Sequence, residues 1–440
     1  MIHASHPAAQ VPATPVRPGD RIAVIGAGIA GLSAAWLLSP NHRVTLFESA
    51  AYFGGHANTV DVTIGSVTHP VDTGFLVFNE ITYPNLVRLF ATLQVEVYAS
   101  DMSFSVSIER PDIEWSGTSL STVFAQTRNL ARPAFWRMII DIVRFNRNAP
   151  RYLEEARAKP CTLGELLDAE RYGVAVRDWY LLPMAAAIWS SSVESILDFP
   201  AETFLAFCIN HRLLQIENRP QWKTVHGGSR SYVEAMVASI GDARRSCPVF
   251  QVRRTQDGVQ ITSRSGIETF DHVVMACHPP TTLRILDATA AETDVLRRFK
   301  YQANLAVLHA DAALLPRRES VWAAWNYMSA TTTGRHRPVS VSYLLNELQA
   351  LPFRTPLVLT LNPHRAPHRS SVIGRFNYEH PVLDSEATAA QPLIPTIQGG
   401  DRAWFCGAWG GYGFHEDGLK SSLRMARAMG VTPPWKAVYD

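Results

Sequence analysis

The fold of this chain is most constrained by residues 21–48, where two short apolar segments enclose a run of glycines. The first segment, Arg21–Ile25, has the β-branched composition of a buried strand, and residues 26–31 follow it with the spacing G-x-G-x-x-G. Residues with good helix propensity come next, and a second strand-like segment ends in Glu48, twenty residues after Gly28. Together these parts predict a βαβ unit that binds a dinucleotide.

Each glycine of this pattern has its own physical function in such a unit. Gly26 permits the tight turn that leaves the strand, and Gly28 lacks the Cβ that would keep a pyrophosphate away from the backbone. Gly31 allows the helix to pack close to the sheet. The free N–H groups at the helix N-terminus bind phosphates, and Glu48 is placed to accept hydrogen bonds from a ribose diol.

A second pair of glycines follows the acidic strand end, in the segment Phe53-Gly-Gly-His56. A pair at this position lets the backbone fold back over the bound nucleotide, and a simple flexible turn is the alternative interpretation. Residues 21–79 resemble the flavin-containing amine oxidase and phytoene desaturase superfamily, in which a glycine pair follows the acid and FAD is the cofactor. That superfamily usually has an arginine where this chain has His56. The resemblance implies that residues 71–79 form the loop that passes the flavin ring.

The resemblance extends to the other end of the chain. Residues 222–232 are similar to a second glycine-pair segment of the superfamily, and in relatives the valine that matches Val249 contacts the adenine through its backbone. Residues 404–426 are similar to the C-terminal flavin segment, which implies a helix N-terminus directed at the flavin, where it would stabilise negative charge on the reduced ring. The cofactor-binding residues that these matches predict are Gly26, Gly28, Ile29, Ala30, Gly31, Glu48, Ser49, Gly54, Gly55, His56, Thr73, Gly74, Phe75, Val249, Gly407, Gly418 and Leu419.

A narrower resemblance concerns Phe75–Glu80, Trp325–Tyr327 and especially Gly413–Gly418. These segments look like those of a bacterial family described only as predicted NAD/FAD-binding or amine-oxidase-like proteins. Members are often associated with cyclopropane-synthase-like lipid methyltransferases, and some are implicated in desaturating methyl-branched fatty acyl chains. The resemblance implies a small-molecule or lipid substrate and a lipid methyltransferase as a partner.

The expected architecture is α/β, with a Rossmann-like FAD-binding domain of the GR2 amine-oxidase type and a discontinuous α+β substrate-binding lobe. The pieces of the FAD-binding domain are separated in sequence but are expected to meet in one sheet. The predicted boundaries are 1–20 for a disordered leader, 21–80, 220–290 and 400–430 for the FAD-binding domain, and 81–219 and 291–398 for the lobe.

Composition and charge exclude several other classes of protein. Hydrophobic residues make up 47% of the 440 residues and charged residues 18%, which is enough for a large core and unlike a disordered chain. A net charge of +2 gives no general attraction for nucleic acid. The five cysteines are widely spaced, without a CxxC or Cys/His cluster, so neither a disulfide framework nor a metal site is predicted and a cytoplasmic location is favoured.

Residues 124–151 contain six arginines and a single acid, Asp141, interleaved with aromatic and aliphatic residues. An ordinary amphipathic helix that packs on the substrate lobe is one interpretation of this pattern. Peripheral contact with the anionic inner face of a membrane is the other.

The candidate catalytic residues are His415, Glu416 and Tyr327. The first two stand directly before the helix turn that is expected to face the flavin, where a histidine can handle a proton near neutral pH. The structural alternative is a helix cap by Asp417 and an ion pair by Glu416. Tyr327 is predicted on a strand of the substrate lobe that faces the flavin, with buried aromatic packing as its alternative.

Three functions are compatible with these residues. The first is an FAD-dependent oxidoreductase that accepts a hydride at flavin N5 and desaturates a lipid or modified fatty acyl chain. The second is an amine oxidase that forms an imine and releases peroxide. The third is a non-catalytic flavoprotein that is a partner in a lipid-modifying complex. A long apolar channel favours the first, a closed aromatic cage the second, and a blocked N5 face the third.

Overall fold

The computed structural model of the protein describes residues 13–189, 196–215, 219–331 and 340–439. Its strands in chain order are β1 Arg21–Ile25, β2 Arg43–Phe47, β3 Thr59–Ile64, β4 Val67–Asp72, β5 Phe78–Asn79, β6 Val97–Ser100, β7 Phe104–Ile108, β8 Ile113–Ser116, β9 Trp222–Val225, β10 Asp242–Arg244, β11 Val249–Thr255, β12 Gly258–Ser263, β13 Gly266–Phe270, β14 His272–Met275, β15 Lys300–His309, β16 Trp325–Ser329, β17 Ser340–Leu344, β18 Val358–Leu361, β19 Val372–Val382 and β20 Ala403–Phe405.

The α-helices of the described ranges differ greatly in length, from a single turn to 26 residues in α4. In chain order they are α1 Ile29–Leu38, α2 Pro84–Thr92, α3 Leu120–Val123, α4 Pro133–Ala158, α5 Leu163–Ala169, α6 Val174–Val176, α7 Leu182–Trp189, α8 Ala201–Asn210, α9 Arg230–Val237, α10 Pro279–Ile285, α11 Ala290–Leu296, α12 Leu345–Leu348, α13 Ser385–Ala390 and α14 His415–Ala428. Within these ranges, no helix is both long and apolar enough to span a bilayer.

A five-stranded parallel sheet with the order β10-β2-β1-β14-β20 forms the centre of the nucleotide-binding part. Alternate residues of a strand point to opposite faces, and β1 is buried on both. Ile22 and Val24 pack into the core that contains α1 and α14, whereas Ala23 and Ile25 pack into the core beneath the antiparallel sheet β11-β12-β13. The result is a helix, sheet and sheet arrangement that confirms the predicted α/β, Rossmann-like fold.

The second part of the molecule is built around a seven-stranded sheet with the order β19-β15-β18-β17-β16-β7-β8. Its strands are antiparallel except for the parallel pair β16 and β7. Helices α4, α5, α7 and α8 contribute to the same hydrophobic core as this sheet, through residues that include Phe145, Phe204 and Leu359. This α+β part contributes aromatic side chains to the candidate site that is described below.

The predicted disordered leader covers residues 1–20, of which 1–12 lie outside the described residues. The structure corrects this expectation for residues 13–20, which are attached to the end of the central sheet. Ala13 forms a bridge with Gly400, and the Thr14 N–H donates a hydrogen bond of 2.9 Å to the Gly399 carbonyl. Val16 packs against the helix-side core. These contacts are with residues almost 400 positions away, so local composition gives no sign of them.

Candidate nucleotide and substrate site

The glycine loop between β1 and α1 is tightly packed behind its backbone. A Cβ on Gly31 would lie 1.8 Å from the Gly26 carbonyl oxygen, so no other residue fits where α1 crosses the loop. Gly26 has a φ of +102°, and a Cβ there would lie 3.0 Å from the Ala276 carbonyl oxygen. The two glycines therefore serve close packing between strand, loop and helix.

Gly28 differs from its neighbours because the space in front of it is open. No atom of the described chain lies within 4 Å of a Cβ built at Gly28, apart from its immediate chain neighbours. Its backbone is extended, with φ at −69°, and no described side chain caps the helix that begins at Ile29. The open position at Gly28, next to the uncapped N-terminus of α1, is where a phosphate group is expected to bind.

The second glycine pair packs directly on the first loop. The Gly54 N–H donates to the Ala27 carbonyl at 2.8 Å, and a Cβ on Gly55 would lie 3.1 Å from the Gly28 Cα. Glu48 holds the same loop, because its carboxylate accepts hydrogen bonds of 2.8 Å from the N–H groups of Ala27 and Ala50. Glu48 thus fixes the backbone of the loop. The sequence analysis predicted a contact of Glu48 with a ribose and did not include these contacts with the loop.

The N-terminal half of α14 lies against the N-terminal turn of α1. A Cβ on Gly418 would lie 2.7 Å from Ile29 Cγ2 and 3.7 Å from the Ala30 nitrogen. One turn further along, Ser33 Oγ and Ser422 Oγ are 2.6 Å apart. The structure therefore brings the two predicted cofactor segments, from opposite ends of the chain, to one place.

The other predicted cofactor residues surround this place. Thr73 and Gly74 follow β4, and the Phe75 N–H donates to the His56 carbonyl at 2.7 Å, which ties this loop to the second glycine pair. Val249 begins β11, two residues after Cys247, whose N–H donates to the Glu48 carbonyl at 2.8 Å. Ser49 Oγ lies 3.2 Å from a carboxylate oxygen of the adjacent Glu48, and Leu419 is buried in α14.

His56 sits in a group of aromatic rings where the superfamily has arginine. Its ring stacks on Tyr378 with centroids 4.8 Å apart and lies 5.1 Å from the ring of His380. Burial, together with the nearby His380, His278 and His415, holds the pKa of His56 well below its usual range. The imidazole is therefore neutral at physiological pH and cannot supply the positive charge of an arginine.

The candidate catalytic residue His415 is the first residue of α14. Its ring stacks on Phe75 with centroids 3.9 Å apart, and Nε2 lies 3.1 Å from the Tyr232 hydroxyl. Burial lowers the pKa of His415 to about 3, so the ring is neutral at physiological pH. These contacts place His415 in an aromatic group on the nucleotide-binding side of the site.

Glu416 has a structural set of contacts. One carboxylate oxygen accepts hydrogen bonds from the backbone and side-chain amides of Asn85, and the other accepts one of 2.9 Å from the Leu86 N–H. These groups belong to the first turn of α2, so the carboxylate caps that helix from a distant part of the chain. These contacts give Glu416 a capping function, and its catalytic function stays a prediction. Asp417 accepts from the Phe414 N–H at 3.0 Å and caps α14 as the structural alternative proposed.

Burial raises the pKa of Glu416 to about 7, which predicts a dependence of stability on pH. A raised carboxyl pKa means that the folded state holds its proton more firmly, so this stability is present below the unfolded pKa, near pH 4.5, and is lost as the pH rises through 7. We expect the unfolding free energy of the protein to fall by up to about 3 kcal/mol across this window because of Glu416. Glu416→Gln should reduce that slope in urea titrations at pH 5–8. An unchanged slope would contradict the assigned pKa.

Tyr327 lies in the core of the lobe. It stands on β16 between β17 and β7, opposite Val341 and Val106, and its side chain is only 2% exposed. This environment agrees with the aromatic-packing alternative for Tyr327. Its neighbour Asn326 is fully buried and donates from Nδ2 to the Ser342 carbonyl at 3.0 Å.

An aromatic wall lies beside the segment that precedes α14. We use this name for Trp189, Phe207, His211, Tyr412 and Phe414. The ring of Phe207 lies 5.0 Å from Phe414, 5.4 Å from Tyr412, 4.7 Å from Trp189 and 3.9 Å from His211, measured between centroids. Burial lowers the pKa of His211 to about 4, so no member of the wall carries a charge at neutral pH. The sequence analysis did not predict this wall. The apolar run in α8 is the sequence feature that could have indicated it.

FAD fits the nucleotide side of this site on two further observations. Among the described residues, His56 Nε2 and Trp409 Nε1 are buried polar atoms without a hydrogen-bond partner. Trp409 lies over Gly407, where a Cβ would be 2.1 Å from the indole nitrogen. A ligand that reaches from the free volume at Gly28 toward this segment would give such donors an acceptor. The pyrophosphate and ribityl groups of FAD carry acceptors of this kind.

Two helix ends on an open glycine loop, beside a lobe with an aromatic wall, are the arrangement expected of a two-part dinucleotide-binding protein. Residues 29–344 match the model of the flavin-containing amine oxidoreductases, and the chain belongs to this family. It is an FAD-dependent oxidoreductase of the amine oxidase and phytoene desaturase superfamily that the sequence resembled.

Similar solved structures come from enzymes with different substrates. The CLA-producing fatty acid isomerase from P. acnes is 15% identical, with a TM-score of 0.65, and the match covers 93% of this chain and 98% of that chain. Cyclohexylamine oxidase from Brevibacterium oxydans is 14% identical, with a TM-score of 0.65 and coverage of 94% and 99%. Putrescine oxidase bound to putrescine is 13% identical, with a TM-score of 0.63 and coverage of 93% and 99%. At these identities the likeness concerns the fold alone.

Proposed function

We propose that the protein desaturates an acyl chain of a lipid, such as a modified fatty acyl group. The observation that carries this proposal is the aromatic wall beside the start of α14, which is made of neutral side chains. A methylene chain makes only dispersion and hydrophobic contacts, and a wall of this kind supplies them without unpaired charges. The rings of the wall themselves carry no charge that could compensate a charged substrate group for its lost hydration.

The chemistry of this reaction removes two hydrogens from adjacent carbon atoms. When bound, FAD would supply the acceptor for both hydrogens, one as a hydride and one as a proton, and would be left in its reduced form. The C–H electrons of the second carbon then form the C=C bond. The residues of this chain have the tasks of binding the acyl chain, orienting the reacting carbons and excluding water. The low pKa values of His211 and His415 keep these side chains neutral and therefore compatible with an apolar chain.

Amine oxidation is the second candidate, and the hydroxyl of half-buried Tyr412 in the wall favours it. A neutral amine can lie between aromatic rings and accept a hydrogen bond from such a hydroxyl. The similar folds of cyclohexylamine oxidase and putrescine oxidase support amine oxidation. The similar fold of the fatty acid isomerase supports an acyl substrate to the same degree. The two candidates differ in which compounds reduce the bound flavin.

Anaerobic mixing of the FAD-loaded protein with candidate substrates separates these functions. We expect fatty acyl chains, branched or straight, to bleach the flavin absorption and to lose two hydrogens by mass spectrometry. Putrescine and cyclohexylamine should leave the absorption unchanged. Gly28→Val, which removes the phosphate space, serves as the flavin-free control. Bleaching by amines, with none by any acyl compound, would refute the proposed substrate class in favour of amine oxidation.

A further inference from the structure

Exposed apolar side chains are concentrated on one region of the surface. Of the thirteen large apolar side chains that are strongly exposed in the described ranges, six lie between residues 120 and 174. On α4, Trp136, Ile140 and Val143 are 44%, 61% and 49% exposed. Their spacing of four and three residues puts all three on one side of the helix, opposite the buried Phe145. This face of α4 therefore has no core to cover it.

Neighbouring elements place two more exposed apolar side chains near α4. The Trp136 indole N–H donates to the Leu130 carbonyl at 2.9 Å, which fixes the ring beside Leu130. On the other side, Gly173 packs against Arg137 and Asp141 of α4, and the next residue, Val174, is 71% exposed. We call this patch the basic apolar face, and its apolar members are Leu130, Trp136, Ile140, Val143 and Val174.

The segment of α4 that carries the basic apolar face is positively charged. Asp141 is the single acid among residues 128–151, and it is buried. Arg137 Nε and Arg144 Nη2 lie 3.2 and 3.3 Å from its carboxylate, so two arginines share one negative charge. Arg147 is exposed one turn beyond Val143 on the same side of the helix. The face therefore combines apolar side chains with an excess of guanidinium groups.

We propose that the basic apolar face docks the protein on an anionic lipid bilayer. Aromatic and aliphatic side chains can enter the boundary between headgroups and acyl chains, while the arginines remain at the phosphate level. A second copy of the chain is a poorer occupant, because a two-fold contact would bring the same arginines of both copies together. The lipid surface satisfies both the apolar and the charged part of the face.

Docking through α4 also connects the membrane with the proposed chemistry. The buried side of α4 reaches the aromatic wall through a series of rings: Phe145 lies 6.5 Å from Phe204, and Phe204 lies 5.9 Å from Trp189. This link rests on the proposed function, since an acyl substrate is found in the bilayer and hardly in water. The docking itself rests on the exposed face alone.

Sedimentation with vesicles tests the docking. FAD-loaded protein should bind vesicles of phosphatidylcholine mixed with phosphatidylglycerol at least tenfold more tightly than pure phosphatidylcholine vesicles at low salt. Ile140→Ser should weaken binding to the anionic vesicles about tenfold, and Arg147→Gln about fivefold. Both positions are exposed, so flavin content and unfolding transitions should be unchanged.

Matched controls lie in the nucleotide-binding part of the molecule. Ile267→Ser, at a side chain 64% exposed on β13, and Arg245→Gln should leave vesicle binding unaltered. The docking proposal would be overturned if Ile140→Ser and the wild type bound anionic vesicles equally. It would also be overturned if the wild type did not bind vesicles and Ile140→Ser changed only the monomer–dimer equilibrium. Flavin bleaching by acyl compounds is measured separately in detergent, so failure of the docking and failure of the proposed function give different results.

Discussion

Gly28→Val is expected to leave the apoprotein folded and to abolish the retention of FAD. The structure has no atom of the described chain within 4 Å of the new Cβ other than chain neighbours, and the extended backbone at φ −69° accepts a β-branched residue. The valine side chain would instead occupy the volume in front of the first N–H groups of α1, where a pyrophosphate must approach the backbone. Flavin absorption of the purified protein and the FAD dissociation constant are the measurements.

Gly241→Val is the matched control for this substitution. Gly241 also has open space where a Cβ would stand, lacks a positive φ and is exposed away from the loop. We expect the control to bind FAD as the wild type does, whereas Gly28→Val should bind at least a hundredfold more weakly. Retention of FAD by Gly28→Val would contradict the placement of the phosphates at α1.

Gly418→Ala is expected to destabilise the protein by about 1–2 kcal/mol, and Ile29→Ala should relieve much of that loss. The new Cβ at residue 418 would lie 2.7 Å from Ile29 Cγ2, a distance at which one of the two helices must move. Removal of the Ile29 side chain makes room for it. Because alanine also has the higher helix propensity, the clash is measured by the coupling between the two substitutions rather than by one variant.

A double-mutant cycle in urea gives this coupling, which we expect to be about 1–2 kcal/mol. FAD affinity should fall and recover together with stability across these variants, since the clash separates the two helix ends that flank the site. Gly410→Ala provides a comparison in the adjacent segment, where a Cβ meets side-chain atoms at 3.4 Å and beyond. Strict additivity of Gly418→Ala and Ile29→Ala would show that α1 and α14 do not touch as described.

The parts of this fold that were predictable from sequence are local ones. The glycines at 26, 28 and 31 stand between a strand and a helix of the same segment, so the sequence of residues 21–48 was enough to predict the βαβ unit. The prediction that α14 lies near α1 depended on resemblance to a known superfamily, because nothing within residues 404–426 identifies α1 as the helix that α14 contacts. Gly418 has a reason to be glycine only once Ile29 lies beside it.

The contacts of individual polar residues could not be predicted because their partners are far away in sequence. Glu416 looked like a site residue, yet its partners Asn85 and Leu86 are about 330 positions away. The aromatic wall likewise joins α8 to residues 412–414 through ring contacts that no sequence periodicity reveals. The type of a residue indicated which interactions its side chain could make. Long-range packing decided whether that side chain stabilises the fold or lies in the candidate site.

The hydrogen bond between Ser33 and Ser422 spans 389 positions of the chain. A nascent polypeptide leaves the ribosome from its N-terminus, so α1 is synthesised long before the helix that completes its surroundings. The glycine loop emerges early with one side of its coenzyme pocket missing. We therefore expect FAD to be retained only once α14 has been synthesised, and chains truncated before α14 to have the phosphate loop without a complete coenzyme site.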